Sequence, residues 1–125
     1  HYDRVVYQAI AYCDEFDESL FLPHLTECKT ARWDEYAVYI MPKDCDKARG
    51  AEATMRHFGW SMDQCLSLGD DINDVEMISK SGIGIAMGNA QEEVKQKADF
   101  VTDDIDDDGF AKALLHYGLI KEIRK

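Results

Sequence analysis

The sequence predicts an α/β fold built on a parallel sheet, and three observations carry that reading. After Pro42 the pattern runs helix, strand, helix, strand, the signature of parallel strands covered by helices. Its strands are short apolar runs bounded by turn residues. With 125 residues and 46% hydrophobic content, the chain has a single domain's length and enough apolar material for a packed core.

Before Pro42 the signals differ. Residues 3–16 set Val5, Val6, Ala9, Ile10, Cys13 and Phe16 at three-and-four spacing, which predicts a helix. Two extended runs follow, 24–33 and 36–41, joined by Asp34 and Glu35, and Pro42 stops the second; together they predict a β-hairpin. Residues 1–41 therefore form one segment and 42–125 another. In the second, 47–58 is a helix closed by Gly59, 64–68 a short buried strand and 73–81 a helix. A strand at 83–87, a helix at 90–98, a strand at 99–102 and a last helix at 109–117 complete it. Asn89, with Glu92 three residues on, fits a capping box at the start of the 90–98 helix. In the acidic run 103–108, Asp104, Asp106 and Asp108 followed by Gly109 imitate a calcium loop. Leu115 stands where the bidentate carboxylate belongs, so calcium is rejected and a solvated loop capping the last helix is expected.

Charge and cysteines narrow the function classes. A net charge of −11 without a Lys/Arg stripe argues against a nucleic-acid partner. No apolar run is long enough to span a membrane. Cys13, Cys28, Cys45 and Cys65 show neither zinc spacing nor a dense disulfide framework, and read as reduced, mostly buried thiols of a cytoplasmic protein. The chain opens at His1 inside a helical pattern, which reads as part of something larger.

The chemistry concentrates in "SLGDDINDVEM", residues 67–77, just past the end of a predicted parallel strand, where open α/β sheets bind ligands. Crowded carboxylates repel one another unless water screens them or a cation sits among them. A hard divalent ion, Mg²⁺ above all, suits Asp70 and Asp74 on such a turn. Gly69 permits a sharp turn, and Asn73 offers an amide to a phosphate oxygen. Asp71 divides evenly between this role and helix capping. Lys47 opens the preceding helix and can bring positive charge to a phosphate.

"DKARGAEATMRHFG", followed by "CLSLGDDINDVEMISKSGIGIAMGNAQEEVKQKADFVTDDIDDDG", resembles the C-terminal half of Cof-type phosphatases of the haloacid dehalogenase (HAD) superfamily. The resemblance covers about two thirds of the chain, from Tyr36 onward. It implies a HAD-like, Rossmann-type parallel sheet with helices on both faces, incomplete here and preceded by the end of an α/β cap module in residues 1–41. It implies Lys47 as the phosphate-contacting catalytic lysine and Asp70 as a magnesium ligand. Asp74 corresponds to the second acid, ligating directly or through water, and Asn73 to the polar residue near the phosphate. The family usually has Gly after the lysine; this chain has Ala48.

Family chemistry also needs an aspartate nucleophile in a D-x-D-G-[TS] turn after a strand. Asp44-Cys45-Asp46 has the spacing, but Pro42 and Lys43 break the strand and Lys47 stands where Gly belongs; Asp104-Ile105-Asp106 follows the metal block. The expectation is a C-terminal fragment of a magnesium-dependent phosphatase of small phosphorylated metabolites, working through a phosphoaspartate on a missing N-terminal half and inactive alone. That half, a second copy or the chain's own cap segment is expected against residues 64–68. The alternatives are another phosphoaspartyl enzyme, such as a phosphoserine phosphatase or a P-type ATPase phosphorylation domain, or a non-catalytic HAD-fold module.

Overall fold

The computed structural model describes residues 5–123, and the chain divides into two compact units, His1–Cys45 and Asp46–Lys125. In the first unit, β1 (Ala9–Tyr12) is followed by α1 (Glu15–Phe21), β2 (Cys28–Asp34) and β3 (Ala37–Pro42). The strands form an antiparallel sheet in the order β1-β3-β2, with Ile10 and Ala31 both opposite Tyr39.

The sheet corrects the helix expected at 3–16. Residues 9–12 are extended because β3 completes their backbone hydrogen bonds, a partner about thirty residues away that local periodicity cannot report. The start of that expected helix, up to residue 4, lies outside the described residues. The helix of this region begins later, where the Asp14 side chain accepts from the Asp17 N–H at 2.8 Å and caps α1. The expected hairpin is present as β2–β3, with a register shift between Arg32 and Asp34. Trp33, in that interval, stacks on Tyr39 with ring centroids 5.6 Å apart.

Arg32 ties this unit together. Its Nε and Nη2 donate to Glu18 Oε2 at 3.1 and 2.5 Å, and its Nη1 donates to the carbonyls of Cys13, Asp34 and Glu35. One planar guanidinium thus joins α1, the loop before it and the hairpin turn.

In the second unit, α2 (Lys47–His57) precedes β4 (Leu66–Gly69), α3 (Val75–Lys80) and β5 (Ile83–Ala86). Then come α4 (Glu92–Lys95), β6 (Phe100–Val101) and α5 (Gly109–His116). Strands β4, β5 and β6 pair in parallel, in that order. Element starts shift from those expected: β4 begins at 66 after a 3₁₀ turn at 62–64, and α3 begins at 75 after another at 72–74. The 90–98 helix shrinks to the single turn of α4.

Both faces of β5 are covered. Ala86 packs with Ile78 of α3 and with Met87, Ala90 and Val94, all nearly inaccessible. Alternation along the strand turns Ile85 to the opposite face, where it is fully buried. Its register partner Phe100 stacks on His116 at 4.3 Å, at the end of α5. β4 is an edge strand: among the described residues only β5 pairs with it. All four cysteines are free, but Cys45 is exposed and the others half-buried, so the thiols are less buried than expected.

Hydrogen bonds from Thr30 and Arg32 hold the Glu18 carboxyl below its ordinary value. A depressed folded value stabilises fully above the unfolded Glu value of about 4.3 and is lost as pH falls through the folded one. Glu18→Gln should therefore lower stability at neutral pH and remove part of the acid-side loss between about pH 5 and pH 3. Urea midpoints of the two proteins across that range check this; parallel curves would show that Glu18 contributes no linkage.

Candidate active site

Parallel strands end on one side of their sheet, so the segments leaving β4, β5 and β6 are gathered there. Backbone bonds bring them together. Met87 N–H donates to Gly69 O at 2.9 Å, Gln91 N–H to Asp70 O at 3.2 Å, and Gly88 N–H to Asp103 O at 3.0 Å. The acidic block thus sits among three loops.

Within the block, Asp74 turns inward. Its side chain is only 4% exposed, and its Oδ2 accepts the Asp70 and Asp71 N–H groups at 3.1 and 3.3 Å. Its Oδ1 accepts from Lys47 Nζ at 2.5 Å. A buried carboxylate needs this many donors, since desolvation without them costs several kcal/mol. Gly69 makes the fold-back possible: a Cβ there would stand 2.4 Å from the Asp74 Cβ. Lys47 comes within reach because Asp46 caps α2, accepting from Arg49 N–H at 2.7 Å, and so sets where the helix starts.

Asp70 behaves differently. It is exposed, and its Oδ2 accepts one long bond, 3.3 Å, from Asn89 Nδ2. Lys47, Asp70, Asp74 and Asn89 line one cavity of about 400 Å³, with Ile105 and Phe110 among its apolar residues. Three of the four residues singled out from sequence therefore meet. Asn73 does not: it is exposed on the 3₁₀ turn and does not line the cavity. Asp71 caps that turn, accepting from Ile72 N–H at 2.7 Å, and also accepts from Gln91 Nε2 at 2.7 Å.

Asn89 and Ile105 line the cavity and are residues to which sequence reading gave no site role, while Gln91 holds Asp71 from outside the lining. The capping box expected from Asn89 and Glu92 is absent: Gln91 occupies the cap position of α4 without a side-chain bond. Asn89 is drawn instead to Asp70 and to the Ile105 N–H. The phrase "AMGNA" marked the place but not the partners, which lie 19 and 16 residues away. The acidic loop is likewise anchored rather than merely solvated. Asp104 accepts from Asp106 N–H at 3.0 Å, and Lys112 pairs with Asp103 at 2.5 Å. Asp108 stands at the cap of α5 in a left-handed conformation, φ 58°, with no side-chain cap bond.

The donor chemistry fits Mg²⁺ in part. Asp70 offers a hard, accessible carboxylate oxygen at a cavity beside a lysine, the surroundings of an ion completed by water and phosphate. Among the described residues no three His, Cys, Asp or Glu side chains form a metal-binding group. Further ligands would have to come from solvent, substrate or other residues.

The two aspartates should separate in a stability experiment. Asp74→Ala leaves two N–H groups and an ammonium without their acceptor and should cost about 2–3 kcal/mol. Asp70→Ala should cost under about 1 kcal/mol. Urea unfolding measures both; equal losses would contradict the distinction.

Residues 5–114 match the sequence profile of the haloacid dehalogenase-like hydrolases. The Bacillus subtilis protein YkrA is 34% identical over 118 residues, covering 94% of this chain and 46% of YkrA. Among solved structures, BT1666 from Bacteroides thetaiotaomicron, described as a HAD-superfamily phosphatase, superposes with a TM-score of 0.81 at 35% identity. That match covers 94% of this chain and 44% of BT1666. BT4131, described as a HAD subclass IIB sugar phosphatase, superposes at 0.78 with 37% identity over 94% of this chain and 45% of its own. The chain spans less than half the length of each of these relatives. With nearly its whole described length matched to one family, and with the same fold in solved members, this chain belongs to the haloacid dehalogenase-like hydrolases.

Proposed function

We propose that this chain supplies the metal and lysine half of a magnesium-dependent phosphatase acting on a small phosphorylated metabolite. The aspartate nucleophile lies on a segment outside this chain. The observation that carries the reading is the cavity shared by Lys47, Asp70 and Asp74, with Lys47 Nζ already directed by a buried carboxylate while Asp70 stays open. In this reading Asp70 holds Mg²⁺. When bound, the ion polarises phosphoryl oxygens and neutralises their charge.

Lys47 contacts the phosphate. Its side chain is 49% exposed, so the ammonium keeps donors for a ligand beyond Asp74. Asp74, with both oxygens engaged, serves the ion through water and keeps the turn and the lysine in place. Asn73, next to Asp74 in the chain though outside the cavity lining, is the second proposed phosphate contact. The phosphatase names of BT1666 and BT4131 favour this over a P-type ATPase domain. No helix among the described residues is long and apolar enough to cross a membrane. Four free cysteines suit a reducing compartment, and we place the protein in the cytoplasm.

In the full-length protein, Asp70→Ala and Lys47→Ala should each lower kcat/KM by about 10²–10³ with the fold intact. Lys47→Arg should recover only part, since a planar fork does not replace a compact ammonium. The 125-residue chain alone should not hydrolyse an aryl phosphate with Mg²⁺. Turnover by the isolated chain that Asp70→Ala abolishes would sink the claim that the nucleophile lies elsewhere. Unchanged kinetics in both full-length variants would refute these roles for Asp70 and Lys47, whereas a folded full-length protein with no phosphatase turnover would favour a non-catalytic module.

The edge of β4 offers a second test. An unpaired edge strand is a template for association, and the upstream half of the protein is the proposed partner. The isolated chain should self-associate in sedimentation, and an added upstream segment should convert it to a defined complex with slower amide exchange at Leu66–Gly69. A stable monomer whose β4 amides are already protected and which ignores the added segment would refute this.

A further inference from the structure

We infer that Asn89 is a positioning residue that fixes the Asp70 carboxylate by tying it to the 103–108 loop. The inference rests on the reading of Asp70 as a metal ligand given above. The Asn89 carboxamide spans two groups at once: Nδ2 donates to Asp70 Oδ2 at 3.3 Å, and Oδ1 accepts the Ile105 N–H at 3.2 Å. The two partners demand opposite chemistry. A carboxylate needs a donor and an N–H needs an acceptor, and the short primary amide presents both from one side chain. An Asp in its place could accept from Ile105 but would set a like charge against Asp70. An Ala would serve neither.

The reach of that amide is preset by its neighbours. Gly88 N–H donates to Asp103 O at 3.0 Å and Ala90 N–H to Met87 O at 2.9 Å, so the backbone is held on both sides of Asn89. Ala90 is packed into the core at 5% exposure. A Cβ on Gly88 would fall 2.5 Å from the Asp104 nitrogen, so the loop lies directly against this turn. Ile105, whose N–H is the far end of the tether, lines the same cavity as Asp70. Backbone bonds bring the two segments together, and among the described residues the Asn89 side chain alone links the Asp70 carboxylate itself to the backbone of Ile105 at the apolar part of the cavity. A partner that orients a ligating carboxylate in this way commonly governs metal affinity by tenfold or more.

The test is made on the full-length protein with Mn²⁺ as the probe, its binding read by electron paramagnetic resonance, and with amide hydrogen exchange at Ile105 as an independent readout. Asn89→Ala should weaken Mn²⁺ binding about tenfold and speed Ile105 exchange about tenfold. Asn89→Asp, which also serves if the Ala variant does not fold, should keep Ile105 protected because a carboxylate oxygen still accepts its N–H. Wild-type exchange at Ile105 in Asn89→Ala would overturn the tether. Faster exchange with unaltered Mn²⁺ affinity would overturn the positioning role, as would loss of Ile105 protection in a folded Asn89→Asp. Asp70→Ala is the reference. If it binds Mn²⁺ like wild type, the metal reading of Asp70 fails, and the exchange result alone then decides whether the tether exists.

Discussion

The carboxylate of Asp74 is the group on which the geometry of the second unit's site depends. Buried as it is, it must collect donors, and it takes two from the backbone of its own turn and one from a lysine 27 residues earlier. Those three bonds set the path of residues 69–74, bring the start of α2 to the end of β4, and leave Asp70 facing outward. Gly69 belongs to the same constraint, because any side chain there would occupy the space of the Asp74 carboxyl. The ion pair is thus better read as a device of position than as a source of net stability.

Around this centre the parallel sheet does the collecting. Successive strands running the same way deliver successive loops to one end, and there the block after β4, the turn after β5 and the loop after β6 bond to one another through backbone and amide groups. The division of labour among the acids follows from those bonds. Asp71 and Asp104 accept from nearby N–H groups and shape turns, and Asp103 is paired with Lys112. Asp70 alone among the three aspartates of the block lacks a backbone N–H on its side chain, accepting only the amide of Asn89. In a chain of net charge −11, that leaves one carboxylate at the cavity available for a cation.

The first unit solves a different problem. Among its described residues Val38 is the one large side chain that is fully buried, and a single guanidinium joins the segments that apolar packing alone would hold loosely. Both units thus fix loop geometry by converging hydrogen bonds on one charged side chain, an anion in one and a cation in the other.

What the sequence determined by itself is what local pattern encodes. The alternation after Pro42, the short apolar runs and the glycine that closes the 47–58 helix specify the parallel α/β unit, and the acidic block with Lys47 marks the end of the sheet where a ligand site belongs. Tertiary structure decided whatever depends on partners far along the chain. Residues 9–12 have an apolar spacing that suits a helix, yet they are a strand because β3 supplies their hydrogen bonds. Asn89 and Glu92 have the spacing of a capping box, yet a carboxylate 19 residues upstream and an N–H 16 residues downstream compete for the same amide and win it. Asp70 and Asp74 look alike in sequence, but only folding buries one against Lys47 and leaves the other exposed. The physical reason is the same in each case: a polar group takes the partner that the folded chain brings near, and sequence spacing reports only the partners within a few turns.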